Sequence, residues 1–402
     1  VSELRQETAS SPGRLERPST TTEAAQLLSG TRGTLEFRGA GTKLDWAGRV
    51  ADPDLVVDTR DLRGLLTHNP ADMTASVRAG TPLTELQSHL RSSGQWLALD
   101  PPSAAEGATL GGLLASGDSG PSRFRYGGLR DLVIGVVLVL ADGTTARSGG
   151  HVIKNVAGYD LAKLVYGSLG SLALVTEVVL RLHPLPAATT TVAADVDPAI
   201  ASRVASAVMA SVLEPAALEL VPGPGTSRLL LRVDGSPGYV DAAAEASRQL
   251  LGGLGVVAER LDTDAADVAW QEQRRAVRGS DGDTVVRVSG LPTGLPGLAS
   301  AVDATADALG LDAQVSSSVA LGLHTVSFRG GAPQDHVEAV GALRAAATGQ
   351  RASVLLQRRP AAVDALVDSL GPPPSSLELL RRVKEAFDPD GRCAPGRFRP
   401  WY

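Results

Sequence analysis

Two glycine-rich loops carry the first chemical signal in this chain. One reads Arg38-Gly39-Ala40-Gly41-Thr42. The other reads Gly107-Ala108-Thr109-Leu110-Gly111-Gly112 and runs on to Gly117 and Gly120. Glycine lets backbone approach a ligand closely and take positive φ without steric penalty. Consecutive N–H groups in such loops form concave sites for anions. Two of them, each joined to apolar strand-like segments, suit a diphosphate attached to a large flat ring, that is, a dinucleotide. Tight turns in an α/β domain are the alternative. A Rossmann fingerprint needs G-x-G-x-x-G, but Leu44 stands where the third glycine would be, and Asp45-Trp46-Ala47-Gly48 has a turn-like composition. No G-x-x-x-x-G-K-[ST] loop exists in the chain.

If the ligand is a dinucleotide, Arg38, Gly39, Ala40, Gly41 and Thr42 hold its pyrophosphate through backbone N–H groups and the Thr42 hydroxyl. The stretch from Pro101 to Gly120 supplies a second wall, with Thr109 and Ser116 as polar contacts. Arg123, Arg125 and Arg130 follow that wall and could grip a carboxylate or phosphate by bidentate hydrogen bonds, or form an ordinary solvated basic face. The histidines His68, His89, His151, His183, His324 and His336 form no H-x-H or H-x-x-x-H pair. No metal site and no catalytic residue is assigned from them.

The elements that must position these residues are legible in outline. Thr20-Thr21-Thr22-Glu23 reads as a capping box opening a helix through Leu28. Leu35-Glu36-Phe37 reads as a strand feeding the first glycine loop. Residues 55–57 and 74–77 read as further strands, and 84–93 as a helix with Leu83, Leu86 and Leu90 at helical spacing. The apolar run 133–140 is valine-rich and stops at Ala141-Asp142-Gly143, so a buried strand fits it better than a helix. Residues 172–182 read as another strand, ended by His183-Pro184-Leu185-Pro186. Beyond that proline pair, strands are expected at 190–196, 228–233, 285–288, 314–319 and 324–328. Helices are expected at 198–213, 241–251, 337–346 and 377–387. That mixture suggests an α+β unit with an antiparallel sheet.

Bulk properties bound the function. A chain of 402 residues implies two domains. The composition is 43% apolar but only 3% aromatic, so the cores are built from small and branched aliphatics. A net charge of −6 disfavours a general nucleic-acid surface. One cysteine, Cys393, cannot make a disulfide framework, an iron–sulfur set or a thiolate zinc site, and it suggests a cytoplasmic location. Residues 1–17 are polar and do not resemble a signal peptide. No run of about 18 uncharged apolar residues suggests a transmembrane segment.

The text around the loops is more specific. Asp54-Leu55-Val56-Val57-Asp58-Thr59, Ser76-Val77-Arg78-Ala79-Gly80-Thr81-Pro82-Leu83 and Leu97-Ala98-Leu99-Asp100-Pro101-Pro102 precede the second loop. Ser119-Gly120-Pro121, Tyr126-Gly127, Arg130-Asp131, Lys154-Asn155-Val156-Ala157-Gly158-Tyr159-Asp160 and Gly167-Ser168-Leu169-Gly170-Ser171-Leu172-Ala173-Leu174-Val175-Thr176-Glu177 follow it. This ordered series resembles the FAD-binding domain of the vanillyl-alcohol oxidase / p-cresol methylhydroxylase (PCMH-type) superfamily. Within it, the Lys154–Asp160 and Ser119–Pro121 motifs resemble the FAD-binding E subunits of glycolate oxidases. Lys384-Glu385-Ala386-Phe387-Asp388-Pro389 and Pro395-Gly396-Arg397 do so as well.

The resemblance implies an α+β fold. A flexible tail at 1–17 would precede a PCMH-type FAD-binding domain of two α/β subdomains at 18–186. An α+β cap with an antiparallel sheet would follow at 187–370, and a segment at 371–402 would return to the FAD domain. FAD would be bound by the first loop, by Pro101, Gly107, Ala108, Thr109, Gly111, Gly112, Ser116, Gly117 and Gly120, and by Leu174 and Val175, which are otherwise plain strand core. Tyr159 and Asp160 would touch the flavin or lock a loop, and Lys154 could compensate charge on reduced flavin or lie at the surface. The superfamily often attaches flavin through His or Cys, yet the first loop has Gly, Ala, Thr and Lys there and Cys393 is remote, so noncovalent FAD is expected. Relatives oxidising D-2-hydroxy acids place histidines and a metal in the cap, where only His324 and His336 fall; no metal is expected here. The implied function is the FAD-binding subunit of a glycolate oxidase complex acting on a small 2-hydroxy acid such as glycolate or D-lactate. Its partners would be a second FAD subunit and an iron–sulfur subunit, with Arg123 and Arg125 as substrate-binding candidates. The location would be cytoplasmic, peripheral at the inner membrane through partners. The alternative is a self-sufficient FAD-dependent dehydrogenase or oxidase of a small 2-hydroxy acid or alcohol.

Overall fold

The computed structural model describes residues 13–151, 158–223 and 225–402. Lys154 lies outside the described residues. The N-terminal domain holds two sheets. The smaller is parallel, in the order β1-β3-β2, built from β1 (Arg14–Glu16), β2 (Leu35–Arg38) and β3 (Leu55–Asp58). Residues 14–16 are therefore a strand and not part of a loose tail. They pair with Leu55, Val56 and Val57, and Arg17 then bonds the buried Asp58. Helix α1 (Thr21–Gly30) begins where Thr20 accepts a hydrogen bond from the Glu23 N–H and Glu23 accepts one from the Ser19 N–H. Its buried residues Ala24 and Leu28, four apart, lie on one face and pack on β2 and β3.

The second sheet has five antiparallel strands in the order β4-β5-β9-β7-β8. They are β4 (Leu65–Asn69), β5 (Thr74–Arg78), β7 (Val133–Val139), β8 (Thr145–Gly149) and β9 (Leu174–Arg181). Helix α2 (Leu83–Arg91), the short strand β6 (Gln95–Trp96) and helices α3 (Leu110–Ser116), α4 (Arg123–Tyr126) and α5 (Leu129–Leu132) lie between β5 and β7. Helix α6 (Leu161–Val165) precedes β9. Strand β7 lacks alternation because both its faces are buried. Val136 and Leu138 join the main core with Leu83, Leu86 and Leu113, while Val139 joins Leu28, Leu35 and Leu174. Strand β10 (His183–Pro184) pairs with β6.

The second domain is an eight-stranded antiparallel sheet in the order β14-β11-β13-β12-β16-β17-β15-β18. Its first half is β11 (Ala188–Val196), α7 (Pro198–Met209), β12 (Ala217–Pro222), β13 (Ser227–Gly235), α8 (Pro237–Gly253) and β14 (Glu259–Arg260). After α9 (Thr263–Arg278), the second half repeats that order: β15 (Thr284–Ser289), α10 (Leu295–Leu309), β16 (Asp312–Ser318), β17 (Leu323–Arg329), α11 (Pro333–Gly349) and β18 (Ser353–Arg358). Two β-α-β-β-α-β units thus meet at their edge strands β12 and β16. One sheet face is apolar, with Leu218, Leu220, Leu229 and Leu231 in one unit and Val286, Val288, Val326 and Leu356 in the other, packed with residues of α7, α8, α10 and α11. Alternation places Glu219, Arg232, Arg287, Ser316 and Thr325 on the opposite face, toward α9 and the first domain.

Arg232 clasps the two domains. Its guanidinium donates to Asp100 Oδ2 at 3.1 Å and Ser122 Oγ at 2.7 Å, and lies over the Trp270 ring. Helices α12 (Ala361–Asp364) and α13 (Leu377–Phe387) lead back to the first domain. There Leu35 N–H donates to Arg392 O, Ala394 N–H donates to Leu35 O, and Lys384 Nζ donates to Ser171 O.

Candidate functional site

The first glycine loop leaves β2 and borders a cleft between the two sheets. Its lining includes residues 37–44, Thr59, Thr109, Gly111, Gly112, Ala115, Ser116 and residues 169–170 and 173–175. The N–H groups of Ala40, Gly41 and Thr42 find no acceptor among the described residues. Three successive donors without a partner make an anion cradle. Gly41 has φ +76°, a conformation that a β-branched residue adopts only under strain. Gly39 serves contact: a Cβ there would stand 2.3 Å from Thr109 Oγ1, so its absence lets the first loop touch the second. Thr109 in turn caps α3 by accepting from Gly112 N–H.

A buried polar network joins the loops. Lys43 Nζ donates to Ser103 Oγ at 2.7 Å and lies 3.2 Å from Asp118 Oδ2, while Ser103 Oγ donates to the same carboxylate. Burial holds the Lys43 amine below its usual pKa, opposed by Asp118. The backbone after the loop is fixed from far along the chain. Arg397, which also lines the cleft, donates to Leu44 O and Gly48 O, and Arg359 donates to Asp45 O.

Of the sequence-derived candidates, Arg38, Gly39, Ala40, Gly41, Thr42, Thr109, Gly111, Gly112, Ser116, Leu174 and Val175 line this cleft. Leu174 and Val175 are also strand core. Pro101, Gly107, Ala108, Gly117 and Gly120 do not border it. Pro101 and Gly107 bracket a 3₁₀ turn, Gly117 ends α3, Ala108 O accepts from Leu83 N–H, and Gly120 packs on Asp100. They frame the wall without forming its surface. Tyr159 is 88% exposed and Asp160 caps α6, so neither reaches the cleft. Arg125 donates to Asp234 O in the second domain and acts as a clasp, and Arg130 is exposed. Sequence reasoning missed Lys43, Leu169, Gly170 and Arg397 as lining residues. Gly170 stands inside the glycine-rich run 167–171.

Beside the cleft, at the domain seam, lie two adjoining hollows. The first begins at Thr42, shared with the cleft, and continues over Asp45, Trp46, Pro102, Asp118, Val277, Arg278, Arg287 and Gln357. The second, sharing Pro102, Val277 and Arg287, adds Arg123, Glu219, Gln273, Ser316 and Thr325. Glu219 is enclosed, accepting from Ser318 Oγ and Gln273 Nε2, and burial pushes its carboxyl up to about 8. The described histidines line neither cleft nor hollows. His324 bonds Ser317 and His336 bonds Gly330 O, and burial lowers His324 to about 4. Among the described residues no three His, Cys, Asp or Glu side chains gather as a metal site. A larger open groove between α9 and the outer part of the sheet shares no residue with the cleft.

Residues 16–149 match a family of FAD binding domains, and residues 372–398 match the C-terminal domain of FAD linked oxidases. These two stretches are thus similar to the FAD binding and C-terminal domains of FAD linked oxidases. Sequence relatives include the glycolate oxidase subunit GlcE of Escherichia coli (strain K12), 34% identical over 224 residues that cover 54% of this chain and 57% of the relative. The glycolate oxidase subunit GlcD of Bacillus subtilis (strain 168) is 33% identical over 221 residues, covering 54% of this chain and 46% of the relative. The chain spans about half the length of the curated relatives it matches. A solved structure of alkyldihydroxyacetonephosphate synthase shares the fold, with a TM-score of 0.71 and 18% identity over 95% of this chain and 75% of that one. FAD is therefore the cofactor indicated for the FAD binding domain at residues 16–149, and the partnerless N–H groups of residues 40–42 fit its pyrophosphate. Among the described residues, no helix is long and apolar enough to cross a membrane.

The cleft lining includes neither His nor Cys. Cys393 is fully buried beneath α1, and burial pushes its thiol up to about 12, so it is protonated and unreactive at neutral pH. Acid precipitation of the FAD-loaded protein is expected to leave a colourless pellet and intact FAD in the supernatant. Yellow pelleted polypeptide would mean a covalent link.

Proposed function

We propose that this chain is the FAD-binding subunit of a glycolate oxidase complex, holding noncovalent FAD for oxidation of a small 2-hydroxy acid such as glycolate or D-lactate to the 2-oxo acid. The observation that carries the reading is the continuity at Thr42 between the dinucleotide cleft and the polar seam hollows. A cofactor anchored at residues 40–42 and a substrate in the seam would then be neighbours. Bound FAD supplies the two-electron acceptor for the C–H bond beside the hydroxyl. The protein's own part is to hold the phosphates with backbone donors, to fix the loop through Lys43, Arg397 and Arg359, and to shield the seam by docking the cap through Arg232. The resemblance to GlcE favours the work being shared with a second FAD subunit and an iron–sulfur subunit, and the single cysteine leaves no cluster within this chain.

Whether the chain acts alone is decided by turnover. The FAD-loaded chain by itself is expected to reduce dye with glycolate at well under about 1 per second, below the usual enzymatic range. Co-expression with GlcD-like and iron–sulfur subunits should restore that range. Full turnover by the isolated chain would instead support the self-sufficient dehydrogenase.

A further inference from the structure

Strand β12 carries one carboxyl group into the seam. Leu218 and Leu220 join the apolar core, so Glu219 between them faces the opposite way, toward α9 and the first domain. It stands at the joint of the two β-α-β-β-α-β units, paired in register with Ser318 of β16. There it borders the second seam hollow while only 2% exposed.

The Glu219 oxygens are held but not filled. Oε1 accepts from Ser318 Oγ at 2.7 Å and Oε2 from Gln273 Nε2 at 3.0 Å. A carboxylate offers about four acceptor positions, so each oxygen keeps a free lone pair. Gln273 Oε1 and Ser316 Oγ, on the wall of the same hollow, are buried without partners. The Glu219 carboxylate and Gln273 Oε1 can only accept, so what this corner lacks is a donor. A hydroxyl supplies one, and each buried atom left unpaired costs about 1–3 kcal/mol.

Among the described residues along the two hollows, Glu219 is the carboxyl group left for proton transfer. The described histidines border neither hollow. Asp118 is paired with Lys43 and accepts from Ser103, and Asp45 is half-exposed and paired with Arg49. The charges that act on Glu219 are Asp100 of the first domain, which opposes its ionisation, and Arg232 of β13, which favours it but is engaged by Asp100 and Asp234. Arg287 of β15 and Arg123 of α4 border the same hollow. Burial outweighs these neighbours and holds the carboxyl at about 8, close to the working pH that suits a general base.

We propose that Glu219 is the catalytic base of this chain and takes the hydroxyl proton of a substrate bound in the seam. The substrate O–H bond breaks, and its proton goes to a Glu219 oxygen. The C–H bond on the same carbon breaks with it, and that hydride, carrying both electrons, goes to bound FAD. The carbon–oxygen bond becomes double, so a 2-hydroxy acid leaves as the 2-oxo acid. That the substrate is a 2-hydroxy acid rests on the function proposed above, while the choice of Glu219 rests on the hollow itself.

The test is turnover of glycolate and D-lactate by the assembled, FAD-loaded complex. Wild-type kcat should rise with pH through about 8, as Glu219 loses its proton. Glu219→Gln should lower kcat about 100- to 10,000-fold and abolish that rise, with KM, FAD content and melting temperature kept. Glu219→Asp keeps a carboxyl and should retain the rise at reduced kcat; it carries the test if the glutamine variant loses FAD. Gln273→Met removes a hydrogen bond that favours the charged form, so it should move the rise to higher pH. Infrared titration of the FAD-loaded chain reads the same group without turnover. A protonated-carboxyl band should vanish with a midpoint of about 8 and be missing from Glu219→Gln. Wild-type kcat or an unchanged pH rise in Glu219→Gln, loss of the rise in Glu219→Asp, or absence of the infrared band would each overturn the proposal. A wild-type complex that oxidises neither acid would refute the functional reading and the proton transfer with it. Activity indifferent to Glu219 would refute the proton transfer alone.

Discussion

Lys43→Met should destabilise the protein by about 3–5 kcal/mol, the usual cost of breaking one side of a buried ion pair. Lys43 and Asp118 are each only 7% exposed in their side chains, so water cannot replace the lost partner. The substitution leaves Asp118 facing Ser103 alone, and the two walls of the FAD cleft lose their polar bond. Urea unfolding of the apoprotein should show the loss. Lys43→Met combined with Asp118→Leu should recover most of it, since a buried pair replaced by apolar groups is often neutral. A single-variant loss below about 1 kcal/mol, the range of exposed pairs, would show that the pair is solvated and that the walls do not depend on it.

Gly41→Val should abolish FAD retention while leaving the cap folded. A side chain at φ +76° costs about 1–2 kcal/mol, and a β-branched one more. The loop would relieve that strain by turning, which moves the N–H groups of residues 40–42 away from the phosphates. Losing two charged hydrogen bonds of about 1.5–3 kcal/mol each weakens binding by more than about 100-fold. The flavin absorbance per chain after gel filtration measures it. Full flavin occupancy would remove this loop from the cofactor site. The nearest atom to a Cβ here is Leu44 Cδ1 at 3.5 Å, so the expected effect comes from backbone conformation and not from a clash.

What could be read from the sequence was mostly local. Thr20 and Glu23 specify a helix start within four residues, and α13 was bounded by its own apolar spacing. Loops 38–42 and 107–112 announced themselves through glycine. Elements whose signal depends on a distant partner were lost. Strand β12 is short and follows a proline, α10 shows an alanine-rich surface with little contrast, and α9 buries only Ala269, Trp270 and Gln273 along sixteen residues. Arg287 was passed over because a lone arginine has no spacing. Its signal was positional: a charge between Val286 and Val288 in an otherwise apolar strand must face away from the core those valines join. Arg397 had no local signal as a cleft residue, because what it holds lies hundreds of residues earlier. The wall from Pro101 to Gly120 was read too broadly, since glycine ends turns as readily as it admits ligands.

The reach of Arg397 sets an order of events during synthesis. It grips Leu44 O from 353 positions downstream, and the whole cap is encoded between them. On the ribosome, both glycine loops emerge early, but the residue that completes their cleft is translated only after the eight-stranded sheet. High-affinity flavin loading is thus expected only after cap synthesis, since a nascent chain stalled within the cap carries the loops without the Arg397 contact.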